Sequence, residues 1–280
     1  MNVSGGLAVV TGAASGIGRA CALRFAREGA DLALADRHEA RLREVEESIL
    51  RLGRRCLAVT CDVSRPEEVE QLAARVLKDL GGARIVMSNA GVGGSGPAHE
   101  VPLEEWRGVL GTNLFGAVHV VTAFVPQMIA AGRGGHLVFT ASLSGLGVSL
   151  PFMAPYAVAK AGIVALGESL QMELEPHRIG VSIVCPGLVA TRMSEGQRRP
   201  WALKPEVLEE KGMPPEEVAA AVVDGIRHER LYVFAKTEEH LLWMLKRAAP
   251  STLVRFLGRY GRSKKVMKDL QGPVGEEPES

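Results

Sequence analysis

Residues 7–18 run Leu7-Ala8-Val9-Val10-Thr11-Gly12-Ala13-Ala14-Ser15-Gly16-Ile17-Gly18. A short apolar run leads into a turn with three glycines, and a helical pattern follows over residues 16–28 until Gly29. A helix that begins in such a turn aims unpaired backbone N–H groups at an anion, and glycine lets a pyrophosphate come close to the chain. The next apolar run, Leu32-Ala33-Leu34-Ala35, ends at Asp36, 18 residues after Gly18. That is close to the spacing at which a carboxylate meets a ribose 2′-hydroxyl. A glycine cluster alone marks any turn, but its place between a first strand and a first helix points to a dinucleotide.

Working outward, the alternation continues. Strands are predicted at residues 56–60, 85–87, 136–140, 181–184 and 231–234. Helices are predicted at 38–51, 104–131, 155–175 (ended by Pro176) and 215–228, with another opened by Ser64-Arg65-Pro66-Glu67 as a capping box. Strands apolar on both faces and separated by helices imply a parallel sheet covered on both sides. The expectation is a single doubly wound α/β domain of about seven strands over residues 1–240. Residues 192–214, with Pro200, Trp201, Pro205 and Pro214, break the rhythm. They read as a solvated connection or as a mobile substrate lid.

Composition narrows the class. The 280 residues carry a formal charge of +1, with 46% hydrophobic and 23% charged residues, as in soluble globular chains. No global field favours nucleic acid, so none is expected as a partner. Four cysteines and seven scattered histidines fit no disulfide framework and no zinc spacing, so no metal is expected. Residues 108–132 and 134–159 lack Asp, Glu, Lys and Arg. Asn113, His119, Pro126 and Gln127 in the first, and Ser, Gly and Pro in the second, favour a buried core over a membrane span. The start of the chain lacks a basic n-region, so a cytoplasmic location is expected.

All three tyrosines precede a lysine by four residues: Tyr156/Lys160, Tyr232/Lys236 and Tyr260/Lys264. On a helix the two side chains share a face, and an ammonium there favours the phenolate. A phenol must fall by about 3 units, roughly 4 kcal/mol, to act as a base near pH 7. Tyr232 lies in a predicted strand, where i and i+4 diverge, and Tyr260 sits in a basic tail. Only Tyr156 follows Pro155 at a helix start, with Ser142 and Ser144 at a strand end before it and Pro186-Gly187 at another after it.

Together these residues resemble the short-chain dehydrogenase/reductase family over about residues 5–235. Thr11 to Gly18 matches its cofactor turn, with Gly12, Ser15, Gly16, Ile17 and Gly18. Asp62-Val63 matches its adenine-contacting pair, and Asn89-Ala90-Gly91 its N-A-G motif, with Ser88 in place of the usual Asn. Asn113, Ser142, Tyr156 and Lys160 match its catalytic set. Pro186-Gly187, with Val189 and Thr191, matches the turn that holds the carboxamide. Ser142 lies 14 residues before Tyr156, one more than the family pattern, which keeps Ser144 as a rival. The resemblance implies a Rossmann-like fold and hydride exchange between an alcohol or ketone and nicotinamide. In it, Tyr156 is the acid/base, Lys160 lowers its pKa and holds the ribose, Ser142 binds the substrate oxygen, and Asn113 holds a relay water. It also implies a homodimer or homotetramer, since the helices matching 104–131 and 155–175 pair between subunits in relatives. Asp36 would repel a 2′-phosphate, which favours NAD over NADP; Arg37 could hold that phosphate and argues the other way.

Met153, Phe152, Met193, Trp201 and Leu203 are candidates for an apolar substrate pocket, suggesting a lipophilic alcohol, sterol or retinoid-like ketone. The extension 241–280 is basic over residues 241–268, with no acidic residue there. Leu253, Phe256, Leu257 and Tyr260 are spaced as one apolar helix face. That helix packs on its own domain or a sister subunit, or it covers the substrate cleft or makes peripheral contact with an anionic membrane. His99 and His119 are expected to be structural, and Gly272 to Ser280 to be a disordered acidic end.

Overall fold

The alternation of side chains along each strand assigns them to two separate cores. In the second strand Leu32 and Leu34 pack to one side, and Ala33 and Ala35 to the other. In the fifth, Val138 joins the first core while Leu137 and Phe139 join the second. With a period of two and both sets apolar, neither face can be left to water.

The computed structural model describes residues 1–191 and 203–270. In chain order it contains β1 (Leu7–Thr11), α1 (Gly16–Arg27), β2 (Asp31–Asp36), α2 (Glu39–Arg51), β3 (Cys56–Thr60), α3 (Pro66–Leu80) and β4 (Ile85–Ser88). Next come α4 (Leu103–Leu110), α5 (Gly116–Ala131), β5 (Gly135–Thr140), α6 (Ala154–Leu174), β6 (Ile179–Val184), α7 (Pro205–Lys211), α8 (Pro215–Arg227) and β7 (Tyr232–Val233). The extension adds α9 (Thr237–Ala248), α10 (Pro250–Gly261) and α11 (Lys264–Asp269). The seven strands are parallel in the order β3-β2-β1-β4-β5-β6-β7. Helices α1, α2 and α8 cover one face; α3, α5 and α6 cover the other. The single doubly wound sheet expected from the sequence is therefore present. The order reverses between β1 and β4, which opens a crevice at the carboxyl ends of the strands.

Several local expectations change. Residues 104–131 form two helices joined by a π turn at Gly111–Phe115, which turns Asn113 into the interior. Leu103–Ala131 is long and apolar enough to cross a membrane by length and composition, but Val120, Phe124 and Met128 lie in the sheet-facing core. The second uncharged stretch is divided among β5, a 3-10 turn at Leu143–Leu146 and the start of α6. Ser64 does not cap α3; its hydroxyl is spent on Asp62 at 2.7 Å. The first part of the expected lid, 192–202, lies outside the described residues. The remainder holds α7, and Met213 bridges to Val189.

Phe124 is 1% exposed beneath the sheet. Phe124→Ala should cost about 3–5 kcal/mol through the cavity it leaves. Urea unfolding checks this; a loss below about 1 kcal/mol would mean that the α5 face is not core.

Candidate active site

Loops from the strand ends line one cavity of about 730 Å³. Its dinucleotide end is built by β1, β2 and β4. The Thr11 hydroxyl accepts from the backbone N–H of Asn89 at 3.0 Å and of Ala90 at 3.1 Å. The Asn89 side chain donates to the Thr11 carbonyl at 3.0 Å and accepts from the Thr140 hydroxyl at 3.0 Å. One amide thus ties together the ends of β1, β4 and β5. Gly16 sits at φ +52°, and a Cβ on Gly18 would stand 2.1 Å from the Gly12 carbonyl oxygen, so only glycine permits this turn. Ser15 is the N-cap residue of α1, and its side chain makes no capping bond. At the far end, Asp36 accepts from the N–H groups of Ala14 and His38, each at 3.0 Å. Asp62 is drawn below the usual carboxylate range: burial pushes it up, but bonds from Ser64 and the charges of Arg37 and Arg65 outweigh that. A glycine cradle at a helix N-terminus with a fixed carboxylate beyond it fits a dinucleotide.

The other end carries the titratable cluster. Ser142 is buried after β5; its hydroxyl donates to the Pro186 carbonyl at 3.4 Å and accepts from the Ser144 N–H at 3.2 Å. Ser142 and Tyr156 line the same stretch of the cavity, and the Ser142 hydroxyl favours the ionised phenol. Ser144 lines the cavity in the next turn. The 3-10 turn at Leu143–Leu146, between Ser142 and Tyr156, presses on α6. A Cβ on Gly145 would meet the Lys160 carbonyl at 2.6 Å. Lys160, 2% exposed, donates to the Thr140 carbonyl at 2.6 Å and lies 5.5 Å over the centroid of the Tyr156 ring. Burial lowers the Lys160 ammonium to about 8. Burial also raises the Tyr156 phenol, and the Ser142 hydroxyl only partly offsets it. The lysine meets the ring face and a strand carbonyl rather than the phenol oxygen, so in the free chain its charge does not bring the phenol down.

Most sequence-predicted residues line this cavity, including Asp36, Arg37, Asp62, Val63, Ala90 and Gly91. Pro186, Gly187, Val189 and Thr191 line it as well. Gly18 and Asn113 do not line it. Asn113 stands behind, its carboxamide paired with the Val92 N–H at 2.7 Å and the Val92 carbonyl at 2.9 Å. His119 contacts the Val63 carbonyl at 2.9 Å, as a structural residue would, and His99 is exposed beside Glu100. Met153 and Leu203 line the cavity; Phe152 does not, and Met193 and Trp201 lie outside the described residues. Among the described residues no group of His, Cys, Asp and Glu could hold a metal.

A parallel sheet with a glycine cradle and a half-buried Tyr156 beside a buried Lys160 at its carboxyl edge defines an oxidoreductase that binds a nicotinamide dinucleotide and acts on a small molecule. The short chain dehydrogenase family model matches residues 6–201, and the chain belongs to that family. It is 38% identical over 236 residues to 1-deoxy-11-beta-hydroxypentalenate dehydrogenase of Streptomyces exfoliatus, covering 84% of each chain. It superposes with TM-score 0.82 on a short chain dehydrogenase/reductase from Burkholderia phymatum in complex with NAD, at 30% identity, covering 90% of this chain and 96% of that one. With TM-score 0.72 and 28% identity it resembles an alcohol dehydrogenase from Thermococcus sibiricus complexed with 5-hydroxy-NADP, covering 82% and 95%.

Sequence reasoning missed Glu239, which is 5% exposed at the start of α9. Its carboxylate accepts from the Gly187 N–H at 2.6 Å, the Ala235 N–H at 2.9 Å and the Lys236 N–H at 3.1 Å. It therefore pins the Pro186-Gly187 turn to the extension. Two adjacent acids, Glu238 and Glu239, open that helix, and nothing in their order distinguishes the buried one. Glu239→Ala should cost about 2–3 kcal/mol by leaving buried donors unpaired, and should raise KM for the dinucleotide. Urea unfolding with cofactor titration checks this; unchanged stability and KM would show that the turn stands without the carboxylate.

Proposed function

We propose that the protein is an NAD-preferring dehydrogenase that exchanges a hydride between a lipophilic secondary alcohol or its ketone and nicotinamide, with Tyr156 as acid/base. The observation that carries this reading is the convergence of the Ser142 hydroxyl, the Tyr156 phenol and the Lys160 ammonium in a cavity whose far end holds the Asp36 carboxylate. Bound nicotinamide supplies the hydride acceptor and a positive charge beside the phenol. Tyr156 Oη takes the substrate hydroxyl proton. Ser142 Oγ releases its long bond to Pro186 and donates to the substrate oxygen as charge develops there. Lys160 keeps one N–H on Thr140 and offers the others to the nicotinamide ribose and to the proton path. Asn113 has spent its carboxamide on Val92, so its main-chain carbonyl is the group proposed to hold the relay water.

Val148, Leu150, Met153, Leu203, Val266 and Leu270 wall the substrate end, which supports an apolar substrate. The residues behind Leu203, from α7 to Met213, are read as part of a substrate lid. The domain is read as 1–240 and the extension as 241–280, whose α11 closes part of the wall. Phe115, Val158 and Met172 are exposed on the long helices 104–131 and 155–175, which supports a homodimer or homotetramer through them.

Asp36, fixed by two backbone bonds, disfavours a 2′-phosphate. Arg37 and Arg41 line the same end and favour an NADP-linked reading. Turnover measured with both dinucleotides separates them. At least about tenfold higher kcat/KM with NAD is expected, a difference of about 1.4 kcal/mol, and an NADP advantage would reverse the assignment. Tyr156→Phe should bind dinucleotide normally and lose about 10²–10⁴-fold in kcat. Near-normal turnover of a secondary-alcohol panel by that variant would remove Tyr156 from the chemistry.

A further inference from the structure

Half of the exposed large apolar side chains among the described residues lie on two consecutive helices. Leu241, Leu242, Met244 and Leu245 are on α9; Val254, Phe256 and Tyr260 are on α10. Leu241 is 61% exposed and Phe256 60%, and the Phe256 and Tyr260 rings stack on each other, 6.2 Å between centroids. The face expected to unite Leu253, Phe256, Leu257 and Tyr260 is split. Leu253 packs inward with Leu143 and Val148, while Phe256 and Tyr260 point out. Trp243 anchors α9 through contacts with Tyr232 and Phe234. Both helices are thus held to the body, while these apolar residues remain in water. The same segment carries the exposed cations Arg247, Arg255, Arg259, Arg262, Lys264 and Lys268; residues 241–268 contain no acid, and Glu238 is the exposed acid at the start of α9.

We propose that the outward faces of α9 and α10 dock on an anionic phospholipid bilayer, with the aliphatic and aromatic side chains at headgroup depth and the cations on the lipid phosphates. Exposed apolar patches of this kind mark interaction surfaces. A two-fold contact between copies of this chain would set cation against cation, whereas an anionic surface satisfies the apolar and the charged residues together. Docking here depends on neither the catalytic assignment nor the cofactor preference.

Co-sedimentation of the full chain with phosphatidylcholine vesicles, with and without phosphatidylglycerol, tests it. At low salt the protein is expected to partition at least about tenfold more onto the anionic vesicles, and high salt should weaken this. Leu245→Ser/Phe256→Ser, both outside the cavity, should abolish partition while leaving turnover of a soluble alcohol unchanged. Arg255→Glu/Arg259→Glu should remove the preference for the anionic lipid. Absent or lipid-independent sedimentation would overturn the proposal. So would dissociation of an oligomer by Leu245→Ser/Phe256→Ser in light scattering, which would make this face a contact between copies.

Discussion

The 2.6 Å bond from the Lys160 ammonium to the Thr140 carbonyl is the contact on which the site depends. A cation that is 2% exposed is expensive to hold, and its fall to about 8 records that cost. The end of β5 makes it tolerable, because a carbonyl at the last strand residue can accept it. Thr140 also acts through its hydroxyl, which reaches Asn89, and the Asn89 amide reaches Thr11 at the mouth of the glycine turn. One chain of hydrogen bonds therefore joins the buried lysine to the cradle for the dinucleotide. Moving β5 relative to β1 would disturb both ends of the cavity together.

The electrostatics of the free chain oppose the chemistry. Burial favours the neutral phenol at Tyr156 and weakens the ammonium at Lys160. Both shifts come from burial at the strand ends. A cationic nicotinamide held at this end of the cavity would oppose the first of them, so the proposed base role of Tyr156 would depend on the bound dinucleotide. The buried Glu239 carboxylate fixes the Pro186-Gly187 turn that lines the same cavity.

Much of this was legible in the sequence. Period-two apolar runs separated by helices specify a parallel sheet, and the glycines at 12, 16 and 18 locate its first crossover. Tyr156 could be chosen over Tyr232 because Tyr232 does lie in a strand, β7, where the spacing to Lys236 has no helical meaning. The rest depended on competition between local partners. Ser64 could serve either a helix end or Asp62, and the carboxylate won. The π turn around Asn113, which accompanies the pairing of its carboxamide with Val92, leaves no mark in composition. The tail showed its charge and its apolar content, but not which apolar residues face inward. That follows from the position of Leu143 and Val148 beneath α10.

The most direct test is the ionisation of Tyr156 followed by NMR of Cζ-labelled tyrosine, in a chain carrying Tyr232→Phe and Tyr260→Phe, with and without oxidised dinucleotide. The phenol should titrate above its ordinary value of about 10 in the free chain and fall by at least one unit, about 1.4 kcal/mol, in the complex. A titration that the dinucleotide leaves unchanged would contradict a base created by cofactor binding.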